Sequence, residues 1–76
     1  MVMDENTKLY HFGCNLKAER NRLRLSQEEL AEKTSLTAKH IGKIERGLVN
    51  LKLTSIIEIM EALDVPFEKL YFNKEL

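Results

Sequence analysis

The stretch Ser26-Gln-Glu-Glu-Leu-Ala-Glu-Lys-Thr-Ser-Leu-Thr-Ala-Lys-His-Ile-Gly-Lys-Ile-Glu-Arg-Gly47 decides the fold. Ser26 followed three residues later by Glu29 is a capping box, in which hydroxyl and carboxylate each satisfy an orphan backbone N–H at a helix start. Glu28 and Glu29 add negative charge to the first turn, where the helix dipole favours it. Leu30 supplies an apolar contact and Ala31 a close approach. Thr34-Ser35 interrupts the run, and Thr37 can cap a second helix. That second helix has Ile41 and Ile44 on one face at i, i+3 spacing. Gly47 is suited to a left-handed stop. The outward residues are expected to be Ala38, Lys39, Gly42 and Lys43. Two short helices joined by a turn, the second hiding isoleucines and showing lysines, suit a polyanionic partner.

Working outward, residues 1–8 read as a loose arm with little to bury. A first helix is expected from about Leu9 to Leu23, with Phe12, Leu16 and Leu23 at helical spacing. Beyond Gly47 a loop runs to Lys52, and a fourth helix begins near Leu53. Asp64-Val65-Pro66 ends it, and Pro66 can open a last short helix with Phe67, Leu70, Tyr71 and Phe72. The expected organisation is an arm (1–8), one helical domain (9–72) and a tail (73–76).

Composition bounds the classes open to the chain. Seventy-six residues suffice for one small domain. Hydrophobic content of 43% with 32% charged residues fits a globular chain and not a disordered one. No apolar run approaches the roughly 20 residues needed to span a bilayer. Met1–Lys8 lacks the apolar core of a secretion signal, and one cysteine, Cys14, leaves no internal disulfide; both favour a cytoplasmic protein.

Twelve Lys and Arg balance twelve Asp and Glu, unlike the basic excess usual in nucleic-acid binders. The distribution is uneven. Lys39, Lys43, Arg46 and Lys52 against Glu45 give residues 37–52 a net +3, and residues 8–24 carry a net +4. Residues 53–76 carry a net −3, so the molecule is expected to be polarised.

Ser26-Gln27, Glu29-Leu30-Ala31, Leu36-Thr37, Ile41 and Ile44-Glu45-Arg46-Gly47 together resemble the helix-turn-helix of lambda-repressor-like, xenobiotic-response-element-type regulators. The resemblance covers roughly residues 12–72. It implies an all-α fold of five short helices, with the third in the major groove of double-stranded DNA and the second across the backbone. By that resemblance Gln27 bonds a phosphate and buttresses the recognition helix; an ordinary solvated residue is the plain alternative. Ala38 and Lys39 occupy the N-terminal recognition positions, with Lys43 one turn later. Lysine can donate to guanine O6 and N7, and alanine can pack on a thymine methyl. Both lysines could equally meet phosphates alone. Thr37 can cap the helix and also donate to a phosphate, and His40 stands at the edge of this surface, as a solvent residue or a phosphate donor. Asn50 resembles the family's phosphate-approaching loop residue. Lys52 can add a backbone contact, and Arg46 can do so or favour the helix C-terminus. Arg20 and Glu45 match the family's structural ion pair.

Three positions depart from the family pattern. Ser35 replaces the usual turn glycine, so a positive φ there would strain the backbone. Leu51-Lys52 replaces the usual proline and small polar cap, leaving the fourth helix poorly capped. Gly42 costs about 1 kcal/mol against alanine within the recognition helix; close approach of DNA or local fraying would account for it.

Taking about 100° per residue, Leu53, Ile56, Ile57, Ile59, Met60 and Leu63 span an arc of about 160°, wider than one core face needs. A generous core is the plain alternative. The reading adopted is a homodimer interface made by Leu53, Ile57, Met60, Phe67, Leu70, Tyr71 and Phe72, which would let two recognition helices meet half-sites one DNA turn apart. Enzymatic chemistry is not expected: no Gly-rich phosphate loop is present, Cys14 has no nucleophile context, and His11-x-x-Cys14 lacks a second pair to complete a metal site. No cofactor is expected. The function expected is a homodimeric regulator on an inverted-repeat operator, of a kind similar to restriction–modification controllers. RNA polymerase or a cognate protein are further candidate partners. The alternative is a protein-interaction module such as an antitoxin, with DNA binding secondary.

Overall fold

The computed structural model describes residues 4–72, and all the regular structure among them is helical. Helix α1 spans Glu5–Arg22, α2 Gln27–Glu32, α3 Ala38–Glu45 and α4 Leu53–Leu63, followed by a 3₁₀ turn at Phe67–Lys69.

Helix α1 begins four residues before the expected Leu9. Asp4 is its cap, accepting the Thr7 backbone N–H at 2.7 Å, and Glu5 complements the dipole. An Asp-Glu pair at a helix start is a capping signal, and the reading of 1–8 as an arm overlooked it. Asp4 caps the helix and residues 5–8 are helical; residues 1–3 of the arm and the tail, 73–76, lie outside the described residues. Helix α1 closes with two turn bonds: Arg24 N–H donates to the Asn21 carbonyl at 2.9 Å, and Leu25 N–H to the Arg20 carbonyl at 3.1 Å.

The capping box forms as expected. Glu29 N–H donates to Ser26 Oγ at 3.0 Å, and Ser26 N–H donates to the Glu29 carboxylate at 2.8 Å. Thr37 caps α3 through the His40 N–H at 3.1 Å. Gly47 adopts the left-handed stop at φ 76, pressed against the Tyr10 backbone. Helix α4 starts at Leu53 with no side-chain cap on its N-terminus, and Asp64 ends it in a left-handed conformation.

One question left open by the sequence is answered here, and one expectation is corrected. Ser35 does not take a positive φ; among the described non-glycine residues only Arg24 and Asp64 do. Ser35 is tied to α4 instead, its N–H and hydroxyl both donating to Glu58. Among the described residues there are four α-helices, not five. The segment after Pro66 makes a single 3₁₀ turn, in which Leu70 N–H reaches the Phe67 carbonyl at 2.8 Å. The turn delivers Leu70 into the core, and Asn15 Nδ2 fixes it there by donating to the Leu70 carbonyl at 2.9 Å.

The core is Leu16, Leu30, Ile41, Ile44, Ile59, Leu63, Val65 and Leu70, one or more from every helix. Leu70 is fully buried within the single chain, so it has no surface to offer a second copy and drops out of the expected dimer face. At the α1–α3 crossing, Gly13 is buried directly beneath the Ile44 and Glu45 carbonyls; an added Cβ would lie 2.7 Å from the Glu45 oxygen and overlap that of Ile44. This contact seats the end of α3 on α1.

Candidate nucleic-acid interface

Helix α3 turns Ile41 and Ile44 into the core, which leaves Lys39, Lys43 and Arg46 exposed at i, i+4 and i+7. They form a continuous cationic stripe. Ala38 and His40 are half-buried beside it, and the Thr37 cap is exposed at its start. Asn50 and Lys52 are exposed in the loop that follows.

Gly42 is buried and does not belong to this outward face, contrary to expectation. The position of an added Cβ lies 3.4 Å from Arg46 Nη1 and 3.5 Å from the Gln27 amide atoms. Arg46 thus folds back along α3, and Gln27 reaches across from α2 to cover the same point. The missing side chain makes room for those two residues.

Gln27 Nε2 donates to Glu45 Oε1 at 3.0 Å, so α2 braces α3 directly. The same carboxylate accepts Arg20 Nε at 2.6 Å and Nη2 at 3.0 Å, while Arg20 Nη1 donates to the Leu25 carbonyl at 2.7 Å. Both side chains are almost wholly enclosed. Hydrogen bonding to Glu45 raises the Arg20 pKa above its ordinary value. The bidentate fork joins α1, the α1–α2 turn, α2 and α3 at one point. Removal of one partner of so enclosed a pair would cost about 3–5 kcal/mol of stability.

Of the apolar residues expected at a dimer face, Leu53, Ile57, Phe67 and Phe72 are exposed, and Met60 and Tyr71 are half-buried. Phe67 and Tyr71 also line an apolar groove of about 220 Å³ with Leu9, Phe12, Leu51 and Ile56. Ile59 and Leu63 point into the core, so the wide stripe of α4 divides between two directions.

Sequence reasoning missed Glu58, Gly13 and Arg24. A glycine inside a long helical pattern was a signal of close approach at Gly13. Nothing in the local sequence linked Glu58 to a serine 23 positions away.

Residues 16–70 match the helix-turn-helix family. The chain is 38% identical over 58 residues to an uncharacterized HTH-type transcriptional regulator of Sinorhizobium fredii, a match covering 76% of this chain but only 30% of that protein. It is 39% identical over 62 residues to the control protein C.SmaI of Serratia marcescens, covering 82% of this chain and 74% of the relative. Its fold is similar to the crystal structure of the restriction-modification controller protein C.AhdI from Aeromonas hydrophila. That match has a TM-score of 0.81 and 35% identity, and it covers 86% of this chain and 98% of the controller. No described helix is long and apolar enough to cross a membrane. With the capped helix pair, the braced third helix and its exposed cations in place, the chain belongs to the helix-turn-helix family of DNA-binding transcriptional regulators.

Proposed function

We propose that this protein is a regulator of the restriction–modification controller type, acting as a homodimer on an inverted-repeat operator. The observation that carries the reading is the likeness to a controller over nearly the whole of both chains, at a TM-score of 0.81. In this reading α3 enters the major groove. Ala38, Lys39 and Lys43 face base edges, and Gln27, Thr37, His40, Arg46, Asn50 and Lys52 meet the backbone. Gln27 has a second task there, since it already braces Glu45.

The homodimer is supported by the exposed apolar side chains of α4 and of the segment after it. Leu53 is 70% exposed and Phe72 63%, with Ile57 and Phe67 near 40%. Side chains of this size, clustered on two consecutive elements, make a surface suited to a second copy. The net charge of zero fits a protein whose affinity comes from two correctly spaced helices more than from bulk attraction.

Random-site selection with the purified chain, followed by sequencing, tests the proposal. The expected product is a set of inverted repeats whose half-site centres lie about one DNA turn apart. Single unpaired half-sites, bound by a chain that stays monomeric at tens of micromolar, would contradict the dimer. On the selected duplex, Lys43→Ala separates two kinds of contact. A base contact costs about 1–3 kcal/mol and relaxes preference at one position, whereas a phosphate contact lowers the salt slope by about one.

A further inference from the structure

Arg24 occupies the left-handed region, at φ 59. L-residues other than Asn and Asp seldom do so, because Cβ crowds the following carbonyl. The turn imposes the conformation. Arg24 N–H and Leu25 N–H both close back onto the end of α1, and the reversal brings the Leu25 carbonyl within 2.7 Å of Arg20 Nη1. Glycine would meet the same requirement without strain.

The arginine side chain returns nothing to the fold. It is exposed, makes no hydrogen bond, and has no carboxylate within 4 Å among the described residues. Its neighbours differ: Arg20 is locked to Glu45, and Arg22 pairs with Glu19 at 2.9 Å. A strained position that retains a free cation points to a use for the charge outside the chain. Three residues on stands Gln27, whose amide lies with the end of Arg46 over Gly42 of the recognition helix.

We propose that Arg24 is a phosphate-binding residue, engaging the DNA backbone beside the half-site occupied by α3 and carrying the cationic stripe of Lys39, Lys43 and Arg46 onto the α1–α2 turn. The inference rests on the DNA-binding reading above. The ligand is a backbone phosphate, so the contact adds affinity without sequence preference.

The test compares the full chain with Arg24→Gly and Arg24→Lys on the duplex recovered by random-site selection, reading affinity across a salt series and the melting temperature of each protein. Arg24→Gly is expected to melt no lower than the parent, because it relieves the left-handed strain, and yet to bind less tightly. Its log K against log salt slope should be shallower by about 0.9 per bound copy, which at 0.1 M salt is a loss of about eightfold per copy. Arg24→Lys should restore the parent slope. An Arg24→Gly slope equal to the parent's would overturn the assignment. A weakened Arg24→Gly that also melts lower, and is not rescued by lysine, would make the residue structural and overturn it as well. A parent chain with no affinity for any duplex would overturn the DNA-binding reading itself, and this inference with it.

Discussion

Ser35 and Glu58 are joined by two hydrogen bonds, backbone N–H to Oε1 at 2.6 Å and hydroxyl to Oε2 at 3.0 Å. The pair fastens the turn of the helix-turn-helix to the middle of α4, across 23 residues of chain. Through it the recognition unit and the proposed dimerisation helix share a fixed angle, which is what half-site spacing requires. The bonds involve a charged acceptor but lie at the surface, so about 1 kcal/mol is the appropriate scale. Glu58→Ala loses both bonds and Ser35→Ala only one; thermal melting should rank Glu58→Ala as the more damaging. Equal or negligible losses would show that the turn needs no tether. Ser35→Gly should destabilise as well, since it discards the hydroxyl bond and relieves no strain.

Two glycines in helices should respond to alanine in opposite directions. At Gly13 the added methyl would collide with the Ile44 and Glu45 carbonyls, which are backbone atoms at a helix crossing and cannot turn aside. A loss of about 1–3 kcal/mol or more is expected, the cost of overpacking. At Gly42 the nearest atoms are the ends of the Gln27 and Arg46 side chains, at 3.4–3.5 Å. Gly42→Ala should therefore gain up to about 1 kcal/mol of helix propensity. Chemical denaturation of both variants checks the pair; a destabilised Gly42→Ala would mean that Gln27 and Arg46 cannot yield.

These cases mark what the sequence could and could not disclose. The capping box, the Thr37 cap, the Gly47 stop and the facing of Ile41 and Ile44 are local, set by residues within one or two turns, and all were legible. The burial of Gly42 was not, because it depends on Gln27 reaching over from another helix. The conformation of Ser35 was not legible for the same reason: its backbone is held by Glu58, and the conformation usual with glycine is not adopted. At Asp4 the signal was local and was passed over. Leu70 looked like one more member of an amphipathic helix, and only the short 3₁₀ turn after Pro66 sends it inward.

Acid should weaken the two N-terminal caps. The Ser26 backbone N–H, assisted by the Ser26 hydroxyl, holds Glu29 below its ordinary value of 4.5. The Thr7 backbone N–H, with the Thr7 side chain, does the same for Asp4 relative to 3.8. A carboxylate lowered on folding contributes stability that is complete above its ordinary value and is lost as pH falls through the lowered one. Melting temperatures measured from pH 7 downward should therefore begin to fall near pH 4.5. Glu29→Gln should melt lower than the parent at neutral pH and converge with it at the acid end. A gap that stayed constant with pH would exclude the carboxylate charge as its source.

The exposed and buried members of the α4 region separate by the same kind of experiment. Leu53 and Ile57 stand one turn apart on the exposed side of α4, while Leu70 is enclosed by the core of its own chain. Leu53→Lys with Ile57→Lys removes apolar surface that the single chain does not use, so the folding of a monomer should change by no more than about 0.5 kcal/mol per site. If that surface joins two copies, the variant should sediment as a monomer and should need a much higher concentration to occupy an inverted repeat. Leu70→Ala should behave in the opposite way. It leaves a cavity and costs about 2–5 kcal/mol of stability, with any loss of dimer following from unfolding. Sedimentation and melting together decide the matter. A Leu53→Lys, Ile57→Lys chain that remains dimeric at low micromolar concentration would move the interface away from the Leu53–Ile57 face, toward the groove lined by Phe12, Ile56, Phe67 and Tyr71.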